Sequence, residues 1–428
     1  MTLFIFVCAF LLIGLNTPIF ISLACTTFVV FALFTNMPLG ILPQRMFAGV
    51  DNMALIAIPY FIFAAQIMSK GGLTVRLIKF AQTLVGHLPG GLGICAVLSC
   101  LFFAAISGST ASTVVAVGSI IYPALLKAGY GEKFSLGLVT CSALLGMVIP
   151  PSNAMIIYGS ISRVSIGALF LSGFGAGMVF VCVYSAWCVY HAYKTKVPLQ
   201  QRATLREITL AAKDAGWSLG FPLVILGGIY SGVFTSTESA VVSVAYAILV
   251  AMVIYRELKP QEIWVIACET GLASAKILIM VAAATLFSWL LTVENITTQL
   301  IEPIKALDLP WWSILFINNV IMLFAGMFID VFSNILIFCP LMTPLIQEAG
   351  ISTLHFGLIA SVNADMGNIT PPFGLNLFIA SGVFGVSYFT IVRAVLPWLC
   401  LALLCLMIIT YVPQISLWLP SIIYPGSF

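Results

Sequence analysis

Apolar runs of roughly 20 residues follow one another along the chain, the length at which a helix crosses a hydrocarbon core. Short polar breaks separate them. The alternating ten-residue segments of a membrane β-barrel are absent, so the pattern predicts an all-α polytopic membrane protein. The opening run MTLFIFVCAFLLIGLNTPIF lacks a basic region ahead of its apolar core and is expected to remain as a membrane segment rather than a cleaved leader. Two stretches interrupt the pattern where a spanning helix ought to continue: SGSTAST at 107–113 and NADMGNITPPFGLNLF at 363–378.

The chain also matches itself. Residues 88–157 align with 309–378 without a gap, pairing Pro89 with Pro310, Pro123 with Pro344, Pro150-Pro151 with Pro371-Pro372, Gly129 with Gly350 and Gly146 with Gly367. Shared Leu or Ala would follow from composition; shared prolines and glycines would not. In each copy a segment rising from Leu-Pro meets a polar patch (AAISGSTAST, then AGMFIDVFSN) and runs on to YPALLKAG or TPLIQEAG. The halves 91–106 and 113–126 reach only about 21–24 Å at 1.5 Å per residue, short of the roughly 30 Å core. They are predicted to form a re-entrant helical hairpin, which is tolerated at membrane depth only when buried in protein or lining a cavity. Each copy then carries a span broken at GMVIPPSN or GNITPPFG. Two prolines remove N–H donors and free the carbonyls of the preceding turn, so this helix is predicted to unwind within the membrane. A single copy would read as a Pro-kinked structural helix. Two copies, each opposite a polar hairpin, place helix ends and free carbonyls near the midplane, which suits small cations and an anion.

Composition agrees: 61% of residues are hydrophobic and 7% charged, against roughly 25% charged in a soluble domain. The net charge of +3 matters less than where the basic residues fall. The loop 191–217, with Lys194, Lys196, Arg202, Arg206 and Lys213, is placed in the cytoplasm by the positive-inside rule. Counting spans outward from it, hairpin 1 opens to the cytoplasm between Lys70, Arg76, Lys79 and Lys127, Lys133. Hairpin 2 opens to the other side, near Glu294, Glu302 and Asp308. Arg45, Arg163 and Lys305 then lie outside and Lys276 within a span, leaving thirteen of the 17 Lys and Arg residues inside. The repeats are therefore expected to be inverted, an architecture of secondary transporters.

Other classes find less support. No GxSxG, HExxH or paired-aspartate set of an intramembrane enzyme occurs; Asp330 and Asp365 belong to copy two, where copy one has Ser109 and Leu144. A channel, usually built on pore rings from several identical subunits, stays open as an alternative, since a single sequence does not exclude such rings. The 11 cysteines are scattered without a CxxC pair and read as packing residues, and His87, His191 and His355 have no visible ligand partners. Nothing indicates nucleic-acid binding. The chain is expected to divide into N-terminal scaffold helices (1–69), a first transport repeat (70–160), scaffold helices with the basic loop (161–260), an arm helix with the second repeat (261–385), and C-terminal helices (386–428).

Five motifs in order span nearly the whole chain: LPQRMFAGVDNMALIAIPYFIFAAQIM (42–68), SGSTASTVVAVG (107–118), MVIPPSNAMIIYG (147–159), GVFTSTESAVVSVAYA (232–247) and NITPPFGLNLF (368–378). With them the sequence resembles the large membrane subunit of a tripartite ATP-independent periplasmic (TRAP) transporter. The resemblance implies a sodium-driven importer of organic acids in the bacterial inner membrane, with an ion-transporter-superfamily-like fold and elevator motion of the hairpin-bearing domain. It implies two partners, a smaller membrane subunit and a soluble periplasmic binding protein, and no enzymatic activity. The overall impression leans towards sialic acid (N-acetylneuraminate) as substrate. The alternatives are a C4-dicarboxylate or other organic acid, or a self-sufficient divalent-anion/sodium symporter. One departure stands out: many members carry an acidic residue soon after the first hairpin tip, where this chain has Thr113.

At least two sodium ions are expected, one per pairing of hairpin tip and broken helix. The first would use Ser107 and Ser112 with the backbone of Gly146, Val148 and Pro150 and the side chain of Asn153; the second, Gly326 and Asp330 with Gly367 and Thr370. Substrate contacts are expected between them, at Ser109, Thr110, Ser152 and Asn376. The plainer role for the tip hydroxyls is helix capping. Outside the repeats, Glu238 is expected to cap a helix. Glu269 and Lys276 share a helix face with a registry or subunit-contact role, because intramembrane charges are usually paired or functional. Arg45 and Asp51 are expected to anchor the chain at the interface, and Trp289, Trp311, Trp312, Trp398 and Trp418 to form an aromatic belt.

Overall fold

A backbone in hydrocarbon must satisfy its polar groups within its own segment, and among the described residues every regular element is helical. The computed structural model describes residues 2–15, 17–35, 37–197, 199, 201–296, 299, 302 and 309–425; Lys305 and Asp308 lie outside them. Helices α1 (Thr2–Gly14), α2 (Ile19–Phe34) and α3 (Ile41–Val50) lead into α4 (Ala57–Lys70) and α5 (Leu73–Val85). Hairpin 1 is α6 (Gly91–Ser107) and α7 (Thr110–Lys127). The first broken span is α8 (Glu132–Ser142), one turn of α9 (Leu145–Val148) and, past the prolines, α10 (Asn153–Ser162). Next come α11 (Ile166–Thr195), α12 (Leu205–Tyr230), α13 (Ser236–Ile248) with a π-helical extension to Ile254, and the long α14 (Pro260–Val293). Hairpin 2 is α15 (Trp311–Gly326) and α16 (Val331–Glu348), and the second broken span is α17 (Thr353–Gly367) and α18 (Leu375–Phe384). The last helices are α19 (Tyr388–Tyr411) and α20 (Pro413–Ile423).

The two repeats exchange partners. α7 of hairpin 1 packs on α18 of the second broken span, and α16 of hairpin 2 packs on α10 of the first. The exchange is reciprocal, as two copies related by a two-fold axis require. The interlocked hairpins and broken spans form one unit with a closed interior: residues 134–159 of the first broken span are all buried, and so is every residue of α17 from Leu354 to Gly367. No lipid-facing helix could be so placed, and this is why α17 can carry polar side chains. Asn363 Nδ2 donates to Asn319 Oδ1 (2.9 Å), Asn319 Nδ2 to Thr410 Oγ1 (2.9 Å), and the His355 ring lies between Ser416 Oγ (2.6 Å) and the Thr410 carbonyl (3.1 Å). A second layer of α2, α3 and α14, with α4 against α13 and α5 against α12, packs around this unit. Its outer faces expose Leu33, Leu223, Val253 and Leu272, as a surface that meets lipid should.

Among the described residues eight helices are long and apolar enough to cross a membrane. Two of them, α7 and α16, are hairpin arms. Length alone does not distinguish an arm from a span; the tip does, because it is seated inside the buried unit. The first tip is shorter than its sequence suggests. Thr110–Ser112 are already helical, leaving Gly108 and Ser109 as the whole turn.

Several expected roles outside the repeats resolve differently. Glu238 caps α13 in a capping box, taking the Thr235 N–H (2.8 Å) and giving its own N–H to Thr235 Oγ1 (3.2 Å). Glu269, however, pairs with Lys70 on α4 (2.7 Å), and Lys276 stands apart from it beside Asp330 in a separate cavity. Trp398 is no belt residue: it is buried edge-on to Phe134 and Tyr184. Arg45 does meet the belt, its guanidinium 4.7 Å from the Trp289 ring centroid. At the end of the molecule expected in the cytoplasm, Arg76 joins three segments through Glu257 (2.6 Å), Asp214 (3.2 Å) and the Tyr255 ring (3.9 Å).

Candidate functional site

Hairpin 1 turns because Gly108 takes a left-handed φ of 58°, which ends α6. Ser109 then caps α7, its Oγ accepting the Ser112 N–H at 3.4 Å. The Ser109 carbonyl is held by the hydroxyls of Thr113 (2.8 Å) and Ser107 (3.1 Å). Gly146 lies directly beneath: a Cβ there would fall 2.6 Å from Thr113 Oγ1 and 2.7 Å from the Ser109 carbonyl oxygen. Asn153, the first residue past the break, donates Nδ2 to the Gly108 carbonyl (3.2 Å). Ser107, Gly146 and Asn153 are thus brought together at one junction.

The break itself faces differently from expectation. The Val148 carbonyl is directed at Gly173 of α11, where the Pro150 ring also packs. The carbonyl turned to the tip is that of Pro151, 2.6 Å from where a Cβ on Gly108 would stand. Val148 is therefore directed away from the tip, and Pro151, which the sequence reading passed over, takes the facing position. Nothing in the sequence distinguishes the two carbonyls.

The second junction follows the same plan. Asp330 caps α16, Oδ1 accepting the N–H groups of Phe332 (3.0 Å) and Ser333 (3.1 Å) and Oδ2 the Ser333 hydroxyl (2.6 Å). It is the structural counterpart of Ser109. Gly326 and Gly367 meet backbone to backbone: a Cβ on Gly326 would lie 2.9 Å from Gly367 Cα, and one on Gly367 would overlap Gly326. Thr370, buried in the break, donates its hydroxyl to the Met366 carbonyl at 2.7 Å. The oxygen Oδ1 of Asn334 and that of Asn368 are buried without a hydrogen-bond partner.

A buried polar contact between the two tips' repeats involves a carboxylate. Thr110, the first residue of α7, places its hydroxyl 2.8 and 2.7 Å from the two carboxylate oxygens of Asp365 on α17. Asp365 is 0% exposed. The first tip has no carboxylate of its own in sequence, yet one lies against it, delivered from the second repeat.

A cavity of about 520 Å³ opens between hairpin 1 and the second layer. Ser107, Ser109, Ser112 and Asn153 line one wall, Gln66 and the Lys70–Glu269 pair the other. Of the four expected substrate contacts, Ser109 alone lines it. Thr110 is turned to Asp365, Ser152 is a buried cap whose Oγ accepts the Met155 N–H (3.4 Å), and Asn376 is buried with its Nδ2 unpartnered. Ser112, expected as a cation ligand, stands exposed in the cavity wall. A second cavity of about 590 Å³ adjoins the other hairpin, where Lys276, Thr17 and Asp330 meet.

The family described as "Tripartite ATP-independent periplasmic transporter, DctM component" matches residues 6–415. The chain is 40% identical over 377 residues to the C4-dicarboxylate TRAP transporter large permease protein DctM of Pseudomonas aeruginosa, covering 88% of each. It is 37% identical over 415 residues to the ectoine TRAP transporter large permease protein TeaC of Halomonas elongata, covering 96% of this chain and 97% of the relative. Among solved structures, the Alcanivorax borkumensis YdaH transporter, described as having an unusual topology, superposes with a TM-score of 0.61. That likeness covers 88% of this chain and 86% of the other at 13% identity, and is one of fold.

Proposed function

The chain belongs to the DctM component family of tripartite ATP-independent periplasmic transporters, and from that premise we propose that it is the membrane path of a sodium-driven organic-acid importer. Membership makes it a multi-pass inner-membrane transport subunit and not an enzyme. The duplication carries the rest: two hairpin tips each rest on the glycine of a broken span, Gly146 and Gly367, and both junctions are lined by hydroxyl, amide and carbonyl oxygens. Such oxygens suit a small cation, without formal charge at the first tip and with the Asp330 carboxylate at the second, while helix N-termini at the same depth favour an anion. Ser109 and Asn153 are the groups best placed to meet the substrate in the cavity beside the first junction. The interlocked repeats move as one body against the second layer, which is the elevator reading.

The partners are a small membrane subunit and a periplasmic binding protein. Relatives named for C4-dicarboxylates and for ectoine support a carboxylate-bearing small molecule as substrate, with a C4-dicarboxylate tested first and sialic acid second. Uptake of each labelled acid is measured in proteoliposomes holding this chain with and without both partners. Transport is expected only with the complete set and a loaded binding protein. Full transport by this chain alone would instead favour a self-sufficient symporter.

A further inference from the structure

We propose that Asp365, with Thr110 and Asn368, forms a further sodium site, shared between the two repeats and adjoining the second hairpin–break junction. The inference rests on the sodium-driven reading above. Asp365 lies in the wholly buried α17, its two oxygens sharing the Thr110 hydroxyl, with the Asn368 side-chain amide as a second, likewise neutral donor. Among the described residues no Lys, Arg or His is within ion-pair distance of it. A carboxylate in such a place loses more hydration than one hydroxyl and one amide return, and stable structures compensate it with positive charge.

The surrounding atoms fit that charge. The Asn368 amide donates to the carboxylate, and the Oδ1 of the same side chain is buried with no hydrogen-bond partner, an orphaned acceptor on a residue that already touches Asp365. A buried acceptor without a donor, next to an uncompensated carboxylate, is a group a cation satisfies. The Thr110 hydroxyl has lone pairs to offer as well, because its hydrogen can rotate off the carboxylate. Carboxylate, amide and hydroxyl oxygens are hard donors. With one formal negative charge, and no grouping of three His, Cys, Asp or Glu among the described residues, the set matches a monovalent ion.

The position gives the ion a task. Thr110 opens the inner arm of hairpin 1, while Asp365 precedes by two residues Gly367, on which hairpin 2 rests. A cation held between them ties the first tip to the second broken span, so loading of one repeat is felt in the other.

The test follows the Tm of the purified protein as sodium chloride replaces choline chloride at constant ionic strength, with uptake by the reconstituted complex in parallel. Asp365→Asn is expected to raise Tm in choline, since the uncompensated charge is gone. It should also need about tenfold more sodium for half the wild-type rise, the loss of one charge-assisted ligand. Asp365→Glu should keep the sodium-induced rise. A carboxylate serving only as a hydrogen-bond acceptor would give the reverse: a lower Tm in choline and an unchanged sodium curve, and that result overturns the proposal. So does a variant that keeps its sodium curve but loses the pH dependence of uptake, since the carboxylate would then carry a proton. If Asp365→Asn does not accumulate, Thr110→Val replaces it: a shifted sodium curve supports the site and a wild-type curve refutes it. Wild-type uptake that ignores sodium altogether would refute the sodium-driven reading itself, a failure visible before any variant is made.

Discussion

Gly367→Ala is expected to abolish uptake and to destabilise the protein by roughly 1–3 kcal/mol, the cost of forcing a methyl group into packed backbone. The added carbon would overlap Gly326 of the hairpin 2 tip, which has no side chain to swing aside. The tip would have to lift off the break, and the oxygens of Thr370 and the Met366–Gly367 turn would separate from those of the hairpin. Gly382→Ala is the matched control in the same broken span. Nothing lies within 4 Å of a Cβ there, and an alanine inside α18 is expected to leave uptake intact and add up to about 1 kcal/mol of stability. Uptake assays and thermal unfolding of both variants check this. Wild-type uptake by Gly367→Ala would mean that the tip does not need its seat.

Thr370→Val should separate the coupling ion from the fold. The valine nearly keeps the shape and removes the hydroxyl that donates to the Met366 carbonyl at 2.7 Å. The fold loses one hydrogen bond, about 1 kcal/mol. Transport loses a ligand, so the sodium concentration for half-maximal uptake should rise about tenfold. Thr370→Ser, which returns the oxygen, should recover most of that shift. A sodium curve unchanged in Thr370→Val would show that the second junction does not hold its ion at this residue.

Much of this architecture was legible in the sequence because prolines and glycines punctuate it. Pro150-Pro151 and Pro371-Pro372 mark the breaks, and Gly146 and Gly367 sit where the tips come to rest. Hairpin and broken span are local features, so counting residues finds them. Orientation within a break is not local: Val148 and Pro151 are both plausible carbonyl donors until α11, through Gly173, takes up one of them. Capping was equally hard to weigh. Ser109 and Asp330 are caps as well as tip residues, and the cap draws Thr110 into the helix and turns its hydroxyl inward. The contact least accessible to sequence reading is Thr110 with Asp365, which joins residues 255 apart through the exchange of partners between repeats. A lone aspartate in one copy, with leucine in the other, gave no sign of it. Lys70 and Glu269 escaped for the same reason, since a pair between α4 and α14 leaves no spacing to detect.

The central claim is that cations at the hairpin–break junctions drive uptake. The most direct measurement is the initial rate of uptake by the reconstituted complex as an inward sodium gradient is replaced by choline, with membrane potential and pH clamped. The account predicts a steep dependence on sodium, with more than one ion per substrate, and no uptake in choline. Equal uptake in choline, or uptake that follows an imposed pH gradient instead, would contradict it.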